Sequence, residues 1–135
     1  MKVFGLDEAR ELLVKIKPLV EAINDKKMEI YDLLSKLEEE RDELEKIYIK
    51  STINALDKEI REHFEMIENL GGVVKGEDPI LIDFLSYFQG RYIWLCWKED
   101  EDTIIYWHEL NDGFSGRKPI EIIEEYQNQF RSLSE

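Results

Sequence analysis

Cysteine is almost absent from this sequence: Cys96 is the single example, so no disulfide can form within the chain. That scarcity suits a reducing compartment. The first residues contain no apolar signal segment, and no run approaches the ~18 apolar residues that a membrane-spanning helix needs. We therefore expect a cytoplasmic protein with no membrane partner.

Basic residues are also in short supply. Lys and Arg total 18 against 31 Asp and Glu, which makes the protein acidic, with a formal net charge of -13 at pH 7. Cationic side chains supply most of a protein's affinity for phosphate backbones, and the densest cationic stretch is Arg117-Lys118. We therefore expect no nucleic-acid partner. The charged share of 36% is typical of ion-pair-rich thermophilic proteins and equally of long exposed helices.

Proline and glycine are sparse as well, at 3 and 7 residues, and no repeat or low-complexity linker interrupts the 135-residue chain. A single domain over residues 1–135 is expected. We predict the α+β fold class. Its parts are a long antiparallel, coiled-coil-like helical hairpin over about 5–71, a small antiparallel β-meander over about 73–109, and a loop with a C-terminal helix over about 110–135.

A regular apolar pattern is present over residues 6–48, where apolar positions alternate steps of three and four. That spacing predicts a helix with knobs-into-holes packing. Pro18 lies inside the pattern, where it removes a backbone donor and is expected to kink the helix. Lys27 and Arg41 dilute the stripe. Its apolar members are Leu6, Ala9, Leu13, Ile16, Val20, Ile23, Ile30, Leu34, Leu37, Leu44 and Tyr48.

A second stripe follows, out of phase with the first, because the adjacent Tyr48 and Ile49 cannot share one helix face. We predict a turn between Glu39 and Thr52, and Gly71-Gly72 as the end of the second helix. The first helix is the longer, so its excess apolar stripe needs a cover. The sheet, the last helix or a second chain could supply it, and we expect a homodimer through this seam. The second stripe comprises Ile49, Ile53, Leu56, Ile60, His63, Ile67 and Leu70.

Short aromatic and β-branched runs after Gly72 predict four strands of a meander. Pro119 is expected to open the last helix. The predicted strands are Val73–Lys75, Ile80–Leu85, Arg91–Trp97 and Thr103–Glu109, and the apolar stripe of the last helix is Ile120, Ile123, Tyr126, Phe130 and Leu133.

The last two strands flank an acidic run, Glu99–Asp102, that we expect to be a solvated hairpin tip. Symmetric pairing about this tip places Leu95 opposite Ile105 and Arg91 opposite Glu109. One face of the sheet should then rest on the helical hairpin. The other is either covered by the last helix or forms a binding surface. That second face carries Tyr92, Trp94, Tyr106 and His108.

Asp83 stands inside the apolar run of residues 80–85, where a carboxylate needs a partner because burying it alone is costly. Arg91 and Arg117 are the expected partners. The pairing could be a buried salt bridge that fixes the sheet register, or it could line a pocket.

His108-Glu109 near a strand end could act as a general base or a metal ligand. With Cys96 and Asp83, His108 could make a zinc-like set. No paired Cys or His spacing supports this, so we expect no metal centre and no cofactor. His63 is expected to be a packing or interface residue, and Cys96 a small buried apolar one.

The segment Gly113–Arg117 precedes a helix start. Its backbone amides and the Arg117 guanidinium could hold a small anion. The Walker spacing of a phosphate-binding loop is missing, and a glycine-permitted turn explains the segment equally well.

The chain resembles a prokaryotic family known as domain of unknown function 2203. The motifs that carry the resemblance are Asp83-Phe84, Gly90-Arg91, Leu95-Cys96-Trp97-Lys98, Trp107-His108-Glu109, Gly113-Phe114, Gly116-Arg117 and Pro119-Ile120. The chain departs from the family pattern at Gly5, at Ile80 or Leu81, and at Leu85, positions that concern caps and turns.

No activity comes with the resemblance. It implies a shared ligand site or a shared scaffold, formed by Asp83, Arg91, Trp97, Trp107, His108, Glu109, Phe114 and Arg117.

Two functions remain open. The absence of a recognised catalytic motif and the excess seam favour a small homo-oligomeric interaction or scaffold protein rather than an enzyme. The alternative is an enzyme, or a protein that binds a small anionic ligand, with its site on the sheet and the Gly113–Arg117 loop.

Overall fold

The computed structural model describes residues 1–134 and the side chains of residues 1–127. It confirms the α+β prediction: two long helices precede an antiparallel sheet and a C-terminal helix. The helices are α1 (Leu6–Glu39), α2 (Glu43–Leu70) and α3 (Glu121–Ser134). The strands are β1 (Val73–Glu77), β2 (Ile80–Phe88), β3 (Arg91–Lys98), β4 (Tyr106–Glu109) and β5 (Lys118–Pro119).

The turn between α1 and α2 falls inside the predicted interval, but the prediction that the first helix reaches Tyr48 is wrong. The Asp42 side chain accepts a hydrogen bond from the Leu44 amide at 3.0 Å and caps α2. The Glu40 carboxylate accepts from the amides of Arg41 and Asp42. Carboxylates therefore make this turn without glycine or proline.

The predicted seam of α1 is buried from Leu6 to Ile23, whereas its later members Ile30, Leu34 and Leu37 are not buried. On α2 the side chain that enters the core is Phe64 rather than His63, which the sequence placed in the apolar stripe. His63 is half-buried, and its Nδ1 lies 2.7 Å from the Glu59 carbonyl oxygen. Gly71 ends α2 in the left-handed conformation, at φ 117°. Among the described residues, no helix has an apolar stretch long enough to cross a membrane.

The five strands pair in sequence order, β1 to β5, all antiparallel. The predicted register between β3 and β4 is wrong by two residues, since Leu95 lies opposite Trp107 and Ile93 opposite Glu109. A shift of two leaves every side chain on its predicted face. Pro119 belongs to β5, and α3 begins only at Glu121.

The β3–β4 register differs from the predicted one because the connection over residues 99–105 is not the solvated hairpin tip that the sequence predicted. Glu101 folds back, so its carboxylate accepts from the Lys98 amide at 2.8 Å and its carbonyl from Trp97 Nε1 at 2.7 Å. On the side of α1, Arg10 donates to the Ile104 carbonyl at 2.8 Å and to the Glu124 carboxylate at 2.7 Å. The connection thus joins β3 to α1 and α3.

One face of the sheet, here called the inner face, packs on the helices. Its buried side chains form one cluster with those of α1, α2 and the start of α3. Tyr126 of α3 contacts the Phe88 ring on this side, so the part of the last helix whose side chains are described, up to Gln127, packs on the inner face. Phe130 and Leu133 lie outside the described side chains. The inner-face members are Ile80, Ile82, Phe84, Phe88, Ile93, Leu95, Trp97 and Trp107.

The junction of α2 and the sheet offers a test of this packing. A Cβ added at Gly72 would lie 2.9 Å from the Ile82 Cγ2 and 3.2 Å from the Ile67 Cγ2, both in the core. We expect Gly72→Ala to lower the free energy of unfolding by about 1–3 kcal/mol through overpacking. Gly113→Ala is the matched control, because a Cβ there meets nothing within 4 Å. Urea denaturation of both variants measures the difference, and equal stabilities would contradict the packing.

Candidate functional site

Three polar side chains are buried among those that the structure describes: Asp83, Ser86 and His108. Ser86 is explained by its hydrogen bond to the Phe4 carbonyl at 2.6 Å. Asp83 and His108 lie on the other side of the sheet, here called the outer face. The predicted arginine partner of Asp83 is wrong, because the Asp83 carboxylate meets the His108 ring instead, with Oδ2 2.9 Å from Nε2.

Three neighbouring strands supply this cluster. Asp83 on β2 lies opposite Cys96 on β3, and His108 on β4 lies opposite Trp94, two residues before Cys96. The nearest ligand atoms of Asp83, Cys96 and His108 all lie within 4.8 Å of one another. We call these three residues the outer-face trio.

The hydrogen bonds define where the protons are. His108 Nδ1 lies 2.9 Å from the Glu109 carbonyl oxygen, which can only accept, so Nδ1 carries a proton. The contact between Nε2 and Asp83 Oδ2 then holds one more proton. The pair is either imidazolium with carboxylate or neutral imidazole with carboxylic acid. Burial raises the pKa of Asp83, against the lowering effect of Cys96, His108 and Lys75.

The second carboxylate oxygen of Asp83, Oδ1, is buried without a hydrogen-bond partner among the described side chains. Cys96 is also buried, and that burial, with the Asp83 charge, raises the pKa of its thiol to about 12. A thiol in that state is not an activated nucleophile. The Cys96 thiol is therefore unsuited to nucleophilic catalysis.

A cavity of about 280 Å³ adjoins the trio. Lys75, Leu81 and the loop residues Asp112, Gly113 and Phe114 complete its lining. The three loop residues are exposed, so the cavity reaches the protein surface. A small molecule or ion can therefore approach the buried polar atoms.

Arg117 holds the loop in place and is not free to bind a ligand. Its guanidinium lies 4.1 Å from the Tyr106 ring centroid and 4.6 Å from that of Phe114. It also donates to the Glu101 carboxylate at 2.5 Å, and both side chains are nearly buried. Arg117 is thus a structural residue that positions Phe114 at the cavity mouth.

Arg91 and Glu109 lie away from the trio, beside Trp107, whose side chain is on the inner face. Arg91 donates two hydrogen bonds to the Glu109 carboxylate, at 2.7 and 2.6 Å, and Lys118 approaches at 3.4 Å. Trp97 is buried in the core. Three of the eight predicted site residues line the cavity, namely Asp83, His108 and Phe114. The other five do not: Arg91, Trp97, Trp107, Glu109 and Arg117.

Sequence reasoning did not place Lys75, Leu81 or Asp112 at the site. Lys75 sits at a β-bulge in β1, between Val74 and Gly76, where the register with β2 shifts. Strand alternation does not reveal such an irregularity. The sequence predicted a loop after about residue 110, which contains Asp112, but not the direction in which that loop folds.

The fold and site define a small α+β protein with a buried polar trio on the outer face of its sheet. The chain belongs to the family described as "Uncharacterized conserved protein (DUF2203)", whose model matches residues 2–120. The match spans α1 to β5, including the trio, and it confirms the family resemblance. No curated protein and no solved structure matches the chain.

The Cys96 environment gives a chemical prediction. In chelator-treated protein at pH 8, we expect Ellman's reagent to react at least ~1,000-fold more slowly with the native chain than with the chain in guanidinium. A pKa of about 12 leaves little thiolate, and the sulfur is buried. Stopped-flow absorbance measures both rates. Native and denatured rates within tenfold of each other would contradict the burial.

The ion pairs of Glu109 with Arg91 and Lys118 predict how the stability of the protein depends on pH. Hydrogen bonds from Arg91, then Lys118, lower the pKa of Glu109 to about 2 from an ordinary 4.5. Because the folded-state pKa is depressed, this stabilisation is present above about 4.5 and is lost as the pH falls toward about 2. The free energy of unfolding should therefore fall more steeply over that window in the wild type than in Glu109→Gln.

The control for this comparison is Glu21→Gln, at an exposed position of α1. Urea titrations at several pH values between 5 and 2.5 compare the three proteins. If Glu109→Gln and Glu21→Gln follow parallel curves, the ion pair contributes nothing to acid stability.

Proposed function

We propose that the protein works as a homo-oligomeric interaction protein, in which the far half of the helical hairpin binds a second copy of the chain. This proposal is based on how far along the two helices of the hairpin the side chains are buried. Every buried residue of α1 lies at or before Ile23, and every buried residue of α2 lies at or after Ile49. Residues 24–48, here called the distal hairpin, hold no buried side chain.

The distal hairpin is nevertheless apolar in places. Six large apolar side chains on it are exposed, with relative exposures between 44% and 77%. Soluble monomers rarely expose apolar side chains in clusters, and an exposed cluster usually marks an interaction surface. These residues are Met28, Tyr31, Leu34, Leu44, Ile47 and Tyr48.

A second copy is the occupant that fits this surface best. The apolar stripe of α1 continues past Ile23 through Ile30, Leu34 and Leu37. Two helical hairpins can bury such stripes as a four-helix bundle. A groove of about 300 Å³ beside it is lined by Ile30, Tyr31 and Leu34, and also by Lys27 and Asp57. A face with charges of both signs can pair with itself about a two-fold axis.

The variant that tests this proposal carries Leu44→Glu and Ile47→Glu. We expect the wild type to sediment as a dimer at micromolar concentration and the double variant to dissociate at least ~100-fold more readily, because carboxylates replace buried contacts. Val14→Glu is the control, since Val14 is equally exposed but lies on the sheet-covered half of α1.

Analytical ultracentrifugation across a concentration series gives the dissociation constants. A wild type that stays monomeric up to the highest concentration removes the proposal. So does a control variant that dissociates as readily as the double variant.

A second candidate function is a ligand-binding or catalytic site at the outer-face trio. The observation in its favour is the cavity that reaches the Asp83–His108 pair. An anionic ligand is poorly supported there, because glutamates engage both Arg91 and Arg117. Lys75 lines the cavity together with two carboxylates, Asp83 and Asp112. Those carboxylates favour a cation.

A further inference from the structure

We propose that Asp83, Cys96 and His108 bind a divalent transition-metal ion of the zinc class, with one coordination position facing the cavity. The inference is independent of the proposed self-association, because the trio lies on the sheet and the distal hairpin lies on the helices.

The geometry is close to that of a metal site. In a tetrahedral zinc centre with one sulfur, one nitrogen and one oxygen ligand, the ligand atoms lie ~3.3–3.6 Å apart, given bond lengths of ~2.0–2.3 Å. The ligand atoms of the trio already lie within 4.8 Å of one another, and all three residues are buried. Shifts of about 1 Å or less would therefore close the site around an ion.

The histidine is oriented for coordination. Its Nδ1 proton is directed to the Glu109 carbonyl at 2.9 Å, which leaves Nε2 as the ligand atom facing Asp83. Metal-bound histidines are held in this way, by a hydrogen bond from the other ring nitrogen to a carbonyl or carboxylate.

The Asp83 carboxylate gives a second, independent argument for a bound cation. Asp83 Oδ1 is buried and has no hydrogen-bond partner among the described side chains, although Asp83 lines the cavity. An unpartnered buried oxygen destabilises the fold unless something binds it. A cation at the centre of the trio would give this oxygen a partner.

The charges balance when the ion is bound. Binding releases two protons to solvent, one from the Cys96 thiol and the one shared by Asp83 and His108. The centre then holds a thiolate, a carboxylate, a neutral imidazole and a divalent cation, and its net charge is zero. A neutral centre suits a buried position better than separated charges do.

The ligand types select the ion. One sulfur, one nitrogen and one oxygen suit zinc and its neighbours, whereas calcium and magnesium prefer oxygen ligands in larger number. Three protein ligands leave the fourth position to water or to a ligand oxygen. That position faces the cavity between Lys75 and Phe114.

Cobalt(II) is the probe for the experiment, used on full-length protein without a histidine tag after chelator treatment. We expect one equivalent to bind, with a thiolate-to-cobalt charge-transfer band in the near ultraviolet and the visible bands of a tetrahedral ion. Zinc should displace it at one equivalent. The charge-transfer band reports the Cys96 sulfur directly, so the wild type alone can refute the proposal.

Variants assign the ligands. We expect Cys96→Ser to abolish the charge-transfer band, and Asp83→Asn and His108→Gln each to weaken zinc binding at least ~10-fold in competition with a chromophoric chelator. His63→Gln is the matched control, since His63 lies on α2 away from the trio, and it should bind zinc as the wild type does. Circular dichroism in the presence of chelator establishes whether each variant is folded. If the Cys96→Ser variant does not fold, Cys96→Ala is used in its place.

Three results would overturn the proposal: a wild type without the charge-transfer band, a zinc stoichiometry well below one, or a loss of binding in His63→Gln equal to that in His108→Gln. Sedimentation with zinc and with chelator tests self-association separately. If the trio binds no metal, the monomer–dimer equilibrium should be the same under both conditions.

Discussion

The rest of the molecule depends on the packing of the sheet's inner face against the helical hairpin. This packing extends along only part of the hairpin. The 34 residues of α1 extend for ~51 Å. Hydrogen bonds join this helix to the sheet from Phe4, whose amide donates to the Leu85 carbonyl just before α1 begins, to Lys27, which donates to the Glu77 carbonyl. Burial on α1 ends at Ile23, so the sheet covers about half of the hairpin. The apolar distal hairpin and the proposed self-association both follow from this partial coverage.

On the outer face the sheet register has a comparable role. The trio exists only because β2, β3 and β4 bring Asp83, Cys96 and His108 together on one face. A slip of one residue in either pairing would turn one member to the opposite face. The buried polar contacts, in turn, disfavour any register that leaves Asp83 without His108, since an unpaired buried carboxylate is costly. Register and polar pairing thus specify each other.

Much of the architecture was predictable because it rests on local periodicity. The buried seam from Leu6 to Ile23, a turn between Glu39 and Thr52, and the end of α2 at Gly71 follow from apolar spacing and capping chemistry, whereas the cap of α2 at Asp42 does not. The β3–β4 register and the start of α3 did not follow, because Glu101 and Arg10 draw the 99–105 connection onto β3 and α1. Hydrogen bonds between residues distant in sequence leave no local pattern.

The sequence by itself determined the helical stripes, the faces of the strands and the presence of one carboxylate, one thiol and one imidazole in an apolar sheet. Within one strand, alternation with period two divides the side chains between the two faces. Only the tertiary structure decided that Asp83 meets His108 rather than an arginine, because Arg117 is held by Glu101 and Arg91 by Glu109. Competition among partners for a charge depends on distances in three dimensions, which spacing along the chain does not fix.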